Sequence, residues 1–117
     1  MARLSTHVLD TARGQAAAGL KVELHRIEGG ARIHCLTVRT NADGRTDLPL
    51  LSGERIPSGR YEITFAAGDY FRALGMTLPD PPFLDEVVVR FGIADAGANY
   101  HVPLLVSPYG YSTYRGT

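Results

Sequence analysis

LKVELHRI, residues 20–27, decides the fold: Leu20, Val22 and Leu24 fall on one side of an extended chain, Lys21, Glu23 and His25 on the other. Successive strand side chains point to opposite faces, so this alternation describes a strand with one face in a core and one in water. The pattern recurs in RYEITFAA (60–67), where Tyr61, Ile63 and Phe65 oppose Arg60, Glu62 and Thr64. In DEVVVRFGI (85–93), Val87, Val89 and Phe91 oppose Glu86 and Arg90, with Val88 interrupting the charged face. Further strands are expected at 4–9, 32–39, 99–107 and 109–114, and a short one near 45–48 after the NADG turn. EGG, LSGERIPSG and DPP supply other turns. GDYFRALGM (68–76) is the one helix candidate, with Asp69 able to cap its start and Gly75 to end it. TARGQAAAG (11–19) reads as a mobile loop. Many short strands with one brief helix predict an all-β protein, a sandwich of two sheets.

Composition narrows the function. With 117 residues the chain fits one domain, 1–117, large enough for a single core. Twelve basic residues balance twelve acidic ones and no stretch concentrates either sign, so a nucleic-acid surface is not expected. No apolar run reaches the length of a membrane span or of a signal peptide. Cys35 is the only cysteine, which excludes an intrachain disulfide and makes a reducing cytoplasm the expected compartment.

Two strands treat their second face differently from the rest. In 4–9 the core side is Leu4 and Val8, leaving Ser5, His7 and Leu9 outside. In 99–107 it is Tyr100, Val102, Leu104 and Val106, leaving His101, Pro103 and Leu105. An outer face with two histidines and several apolar groups is expected to pack on another subunit. Pro103 cannot donate to a ladder and belongs at an edge, bulge or unpaired position.

Taken singly, the polar candidates are weak. A strand histidine such as His7 or His101 is more often a surface or hydrogen-bonded residue than a catalyst, Arg45 follows a turn, and YRGT would ordinarily be a fraying end. His7, His25, His34 and His101 are not closely paired and Cys35 has no CxxC partner, so no metal motif is present. ARGQAAAG lacks the lysine and hydroxyl of a phosphate loop, and no nucleophile elbow occurs. An enzyme of this sequence would therefore use activated water.

In combination, LSTHVLD, NADGR, GDYFRALG and HVPLLVSPYGYSTYRGT resemble the 5-hydroxyisourate hydrolases, the transthyretin-related enzymes of purine breakdown, from residue 4 to residue 117. The resemblance implies a transthyretin-like sandwich of two four-stranded sheets with one short helix. It also implies a homotetramer with active sites between subunits, and cofactor-free hydrolysis of a small purine-derived substrate. His7, Arg45 and His101 fall on the family's catalytic positions. Tyr114, Arg115, Gly116 and Thr117 fall on its terminal signature, with Thr117 where serine is usual and the hydroxyl retained. On this reading His7 and His101 position and deprotonate water with help from the Thr117 hydroxyl, and Arg45 clamps the substrate carbonyls. Tyr114, Arg115 and Gly116 bind or brace the ring, and the chain stops where a longer one would block the substrate. Which histidine takes the proton stays open. Two alternatives are a small-molecule carrier, which would want an apolar channel without the histidine and arginine set, and a structural sandwich domain, in which the histidines are incidental.

Overall fold

The computed structural model describes residues 1–117. Its elements are β1 (Ala2–Asp10), β2 (Gln15–Ala16), β3 (Lys21–Glu28), β4 (Ala31–Arg39), β5 (Leu51–Gly53), β6 (Gly59–Phe65), helix α1 (Ala67–Ala73), β7 (Val87–Ile93), β8 (Asn99–Ser107) and β9 (Gly110–Thr113). They form two sheets. One runs β2-β1-β8-β9, with β5 also pairing β1; the other runs β4-β3-β6-β7. The expected sandwich is present, its first sheet carrying a short fifth strand on the same margin of β1 as β2.

The alternation translates directly into burial. Leu20, Val22, Leu24, Tyr61, Ile63, Phe65 and Val87 lie between the sheets with Leu4, Val8, Leu104 and Val106, all nearly inaccessible to water. Burying such side chains contributes roughly 1.5–3 kcal/mol each. On the far face of the second sheet, Glu62 accepts from Arg32 Nε and Arg90 Nε, both at 2.9 Å, so one carboxylate ties β4, β6 and β7. Those arginines, Arg90 foremost, hold Glu62 below the usual carboxylate range against the opposing effect of burial. Val88 is exposed within this charged face.

Tertiary contacts decide the loops. Residues 45–48 form no strand: Arg45 makes a single bridge to His7, and the strand comes later, at β5. Thr46 Oγ1 donates to the Leu48 carbonyl at 2.5 Å, a side-chain bond that competes with ladder formation. Segment 11–19 is tied down rather than free. Asp10, fully buried, accepts from the Ala12 and Arg13 amides, from Arg13 Nε and from the Tyr70 hydroxyl, while Ala17 is buried and β2 pairs the end of β1. Helix α1 begins ahead of Asp69, whose side chain makes no cap; Ala66 stands at the N-cap, and the Gly68 amide is satisfied by the Asp85 carbonyl at 2.8 Å. The helix gives way at Gly75 as expected.

Pro103 takes the unpaired position expected of it. It lies within β8, an interior strand, and is buried. His101 and Pro103 both turn their carbonyls toward the C-terminal segment, accepting from the Gly116 amide (2.8 Å) and Thr113 Oγ1 (2.7 Å). The missing N–H of Pro103 therefore faces the gap between the end of β9 and the bridge from His101 to Gly116. β9 and Gly116 keep one register along β8, interrupted only where proline cannot donate.

Candidate active site

Parallel pairing of β1 with β8 sets Ser5 opposite His101 and His7 opposite Pro103. Arg3, Ser5 and His7, at alternate positions of β1, share its outer face, and His101 stands beside them on β8. Asn41–Arg45 forms the adjoining turn. The Asn41 side-chain carbonyl accepts from the Asp43 amide (2.9 Å) and the Arg45 amide (3.2 Å). Gly44 has φ +74°, and a Cβ there would lie 2.3 Å from the Val8 carbonyl oxygen, so glycine is required both for the turn and for its approach to β1. The turn in turn fixes His7, whose Nε2 donates to the Asp43 carbonyl at 2.9 Å. A carbonyl only accepts, so the neutral His7 ring carries its proton on Nε2 and leaves Nδ1 as the acceptor.

The His101 ring is held on two sides. Its Nδ1 lies 2.8 Å from Ser5 Oγ. A Cβ on Gly116 would come 2.6 Å from His101 Cδ2, so the terminal segment rests on the ring at a distance only glycine permits. His101 Nε2 makes no hydrogen bond within the chain. Burial, followed by the charges of Arg45, His7 and Arg3, holds the imidazole below its ordinary value of 6.5 and hence neutral at neutral pH.

These groups surround a cleft of ≈ 290 Å³ lined by Arg3, Ser5, Arg45, Asn99, Tyr100, His101 and Thr117, with Tyr100 its only hydrophobic lining residue. Arg3, Ser5 and Arg45 continue into a neighbouring hollow of ≈ 190 Å³ beside Thr46 and Asp47. Of the residues singled out in sequence, Arg45, His101 and Thr117 line the cleft, His7 is bridged to Arg45, and Gly116 backs His101. Tyr114 and Arg115 turn away from it. They line a separate hollow with Val89, Phe91 and Val102, where the Arg115 guanidinium stacks 4.2 Å from the Tyr100 ring centroid and donates to the Asn99 carbonyl. Arg3 and Ser5 were missed as site residues. Their signal was the alternation that places them on the same strand face as His7, which identifies a face without identifying a function. No three His, Cys, Asp or Glu side chains converge as a metal site.

A two-sheet sandwich bearing a polar cleft of one histidine, two arginines and hydroxyl side chains on one outer face defines a β-sandwich protein equipped for acid–base chemistry. The chain belongs to the HIUase/Transthyretin family, whose profile matches residues 4–116. It is 63% identical over 115 residues to 5-hydroxyisourate hydrolase 2 of Rhizobium meliloti (strain 1021), covering 98% of this chain and 96% of the relative. The structure of Klebsiella pneumoniae 5-hydroxyisourate hydrolase superposes with a TM-score of 0.83 at 34% identity, covering all of both chains. A crystal structure of (S)-allantoin synthase superposes at 0.91 with 42% identity; it covers 99% of this chain, which spans 44% of that longer one.

Proposed function

We infer that this protein hydrolyses 5-hydroxyisourate to 2-oxo-4-hydroxy-4-carboxy-5-ureidoimidazoline in urate degradation. Near-full-length identity to a hydrolase of that name supports the substrate. One observation supports the site: a neutral histidine and two guanidiniums share a single polar cleft. His101 Nε2 takes a proton from water, and the resulting hydroxide adds to the ring amide carbon. The carbonyl electrons move to oxygen, where Arg45 stabilises the oxyanion. As the carbonyl re-forms, the C–N bond breaks with its pair on nitrogen, which receives the proton from His101, leaving a ureido group and a carboxylic acid that releases its proton to solvent as the carboxylate. His7, with its Nε2 engaged by Asp43, and the Thr117 hydroxyl orient the water. Tyr114, Arg115 and Gly116 brace the cleft, Arg115 by holding the main chain at Asn99.

The same proposal includes assembly as a homotetramer through the outer face of the first sheet, where Leu9 and Leu105 are half-buried beside the histidines. It also includes a reducing, cytoplasmic setting, supported by the exposed, unpaired Cys35. No helix is long and apolar enough to cross a membrane.

The test follows decay of hydroxyisourate absorbance after fresh urate meets urate oxidase, with and without the protein. Acceleration over the spontaneous rate is expected, and its absence refutes the activity. Arg45→Ala should lower kcat/KM by roughly 10²–10³-fold, the scale of losing an oxyanion group, and His7→Ala by roughly 10²-fold, the scale of a misplaced reacting group. Wild-type rates from both would refute the assigned roles.

A further inference from the structure

We propose that Ser5 is a positioning residue: its Oγ accepts a hydrogen bond from the Nδ1–H of His101 and so presents His101 Nε2 to the cleft as the proton acceptor. The inference rests on the hydrolytic reading of the cleft and adds to it the group that selects the tautomer of the base.

Three observations carry it. Ser5 and His101 are register partners on adjacent parallel strands, so their side chains leave the same face of the same sheet, and their polar atoms meet at 2.8 Å. The opposite side of the ring is blocked by Gly116, whose amide also donates to the His101 carbonyl, so the ring cannot turn away from Ser5 without displacing the terminal segment. Nε2 alone is left without a partner in the chain.

The direction of the bond follows from the proton bookkeeping of turnover. When Nε2 accepts a proton from water the ring becomes an imidazolium with both nitrogens bearing hydrogen. If the bond ran from Ser5 to Nδ1, the neutral ring's single hydrogen would sit on Nε2, which could then accept no proton. With Ser5 accepting, the same bond persists and strengthens as charge develops. The Ser5 main chain likewise favours the protonated ring. The Ser5 hydroxyl hydrogen then stays free to point into the polar hollow that Ser5 lines with Arg3 and Arg45.

The experiment pairs Ser5→Thr with Ser5→Val, which have the same shape and differ in the hydroxyl, alongside Ser5→Ala. Nitrogen-15 spectra of the histidine rings are recorded at about pH 8, above the ordinary imidazole pKa of ~6.5. Wild type and Ser5→Thr should show neutral His101 with its proton on Nδ1, while Ser5→Val and Ser5→Ala show a mixture or the other tautomer. In the coupled assay Ser5→Ala and Ser5→Val should lose about 10–100-fold in kcat with KM little changed, the scale of a misplaced reacting group. Ser5→Thr should stay within several-fold of wild type. The proposal is overturned if wild-type His101 carries its proton on Nε2, or if Ser5→Ala and Ser5→Val keep both the wild-type tautomer and kcat. Absence of hydrolysis by the wild type would sink the hydrolytic reading alone, since the ring spectra report the Ser5–His101 bond without substrate.

Discussion

His101 gathers the determinants of the site into one ring. Strand alternation exposes it on the outer face of β8, Ser5 and Gly116 fix its orientation, and burial with Arg45, His7 and Arg3 keeps it uncharged. A base must be neutral to act, so activity should rise with pH through the His101 pKa, which lies below 6.5, and then level off. The acid limb of kcat/KM is thus expected below that value. Arg3→Gln removes one of the charges opposing protonation and should move the limb upward toward 6.5, measurable as a pH–rate profile. The same depression has a consequence for folding. The unfolded chain binds a proton on this residue more readily than the native one, so stability contributed by neutral His101 is present above about pH 6.5 and declines as pH falls toward the native pKa. His7, Arg45 and His101 were singled out as candidates from motifs, through the family resemblance. Ser5 and Arg3 were not, because a serine and an arginine on an outward strand face look like ordinary solvated residues until a partner strand is set beside them.

At the scale of elements, the Asn41–Arg45 turn does the positioning that no strand could. It holds the carbonyl that receives His7 Nε2–H and aims Arg45 from the margin of β1. Gly44→Ala would drive a methyl into the Val8 main chain in a backbone region hostile to side chains. It should cost about 2–4 kcal/mol in urea unfolding and lower kcat/KM together with it. Gly30→Ala is the matched control: φ is +85° but nothing lies within 4 Å, so a loss near 1 kcal/mol with activity unchanged is expected. The NADG turn was evident in sequence; its docking against β1 was not. Asp69 likewise had the composition of a cap, yet the chain enters the helix directly from the last buried residues of β6, and the Asp85 main chain fills the capping role. Tertiary contact overrode local preference there, whereas Pro103 took one of the places its missing N–H allows, a gap in the ladder.

For the whole molecule, the two outer faces differ as the sequence implied. One carries the Arg32, Glu62 and Arg90 ion-pair row. The other carries His7, His101, Leu9 and Leu105, half-buried though no strand covers them. A face of that kind suits contact with further copies of the chain, and light scattering should give four times the 12.7 kDa chain mass. A monomeric mass that persists at the concentration of the activity assay would overturn the tetramer. Leu105→Glu should lower the assembled fraction while leaving the sandwich folded, read by the same mass and by circular dichroism.

The sequence by itself determined the two-sheet sandwich, because an alternating strand can bury its apolar face only against another such face. Its motifs, through the family resemblance, singled out His7, His101 and Arg45 as the candidates proposed for hydrolysis. Tertiary structure alone decided which strands lie side by side, and through that register set Ser5 against His101, laid Gly116 on the imidazole and turned Tyr114 and Arg115 toward a different hollow. The physical reason is the range of the information. Periodicity records which face a residue takes along its own strand, whereas a proton acceptor is made by atoms about 3 Å apart that the chain separates by 96 positions.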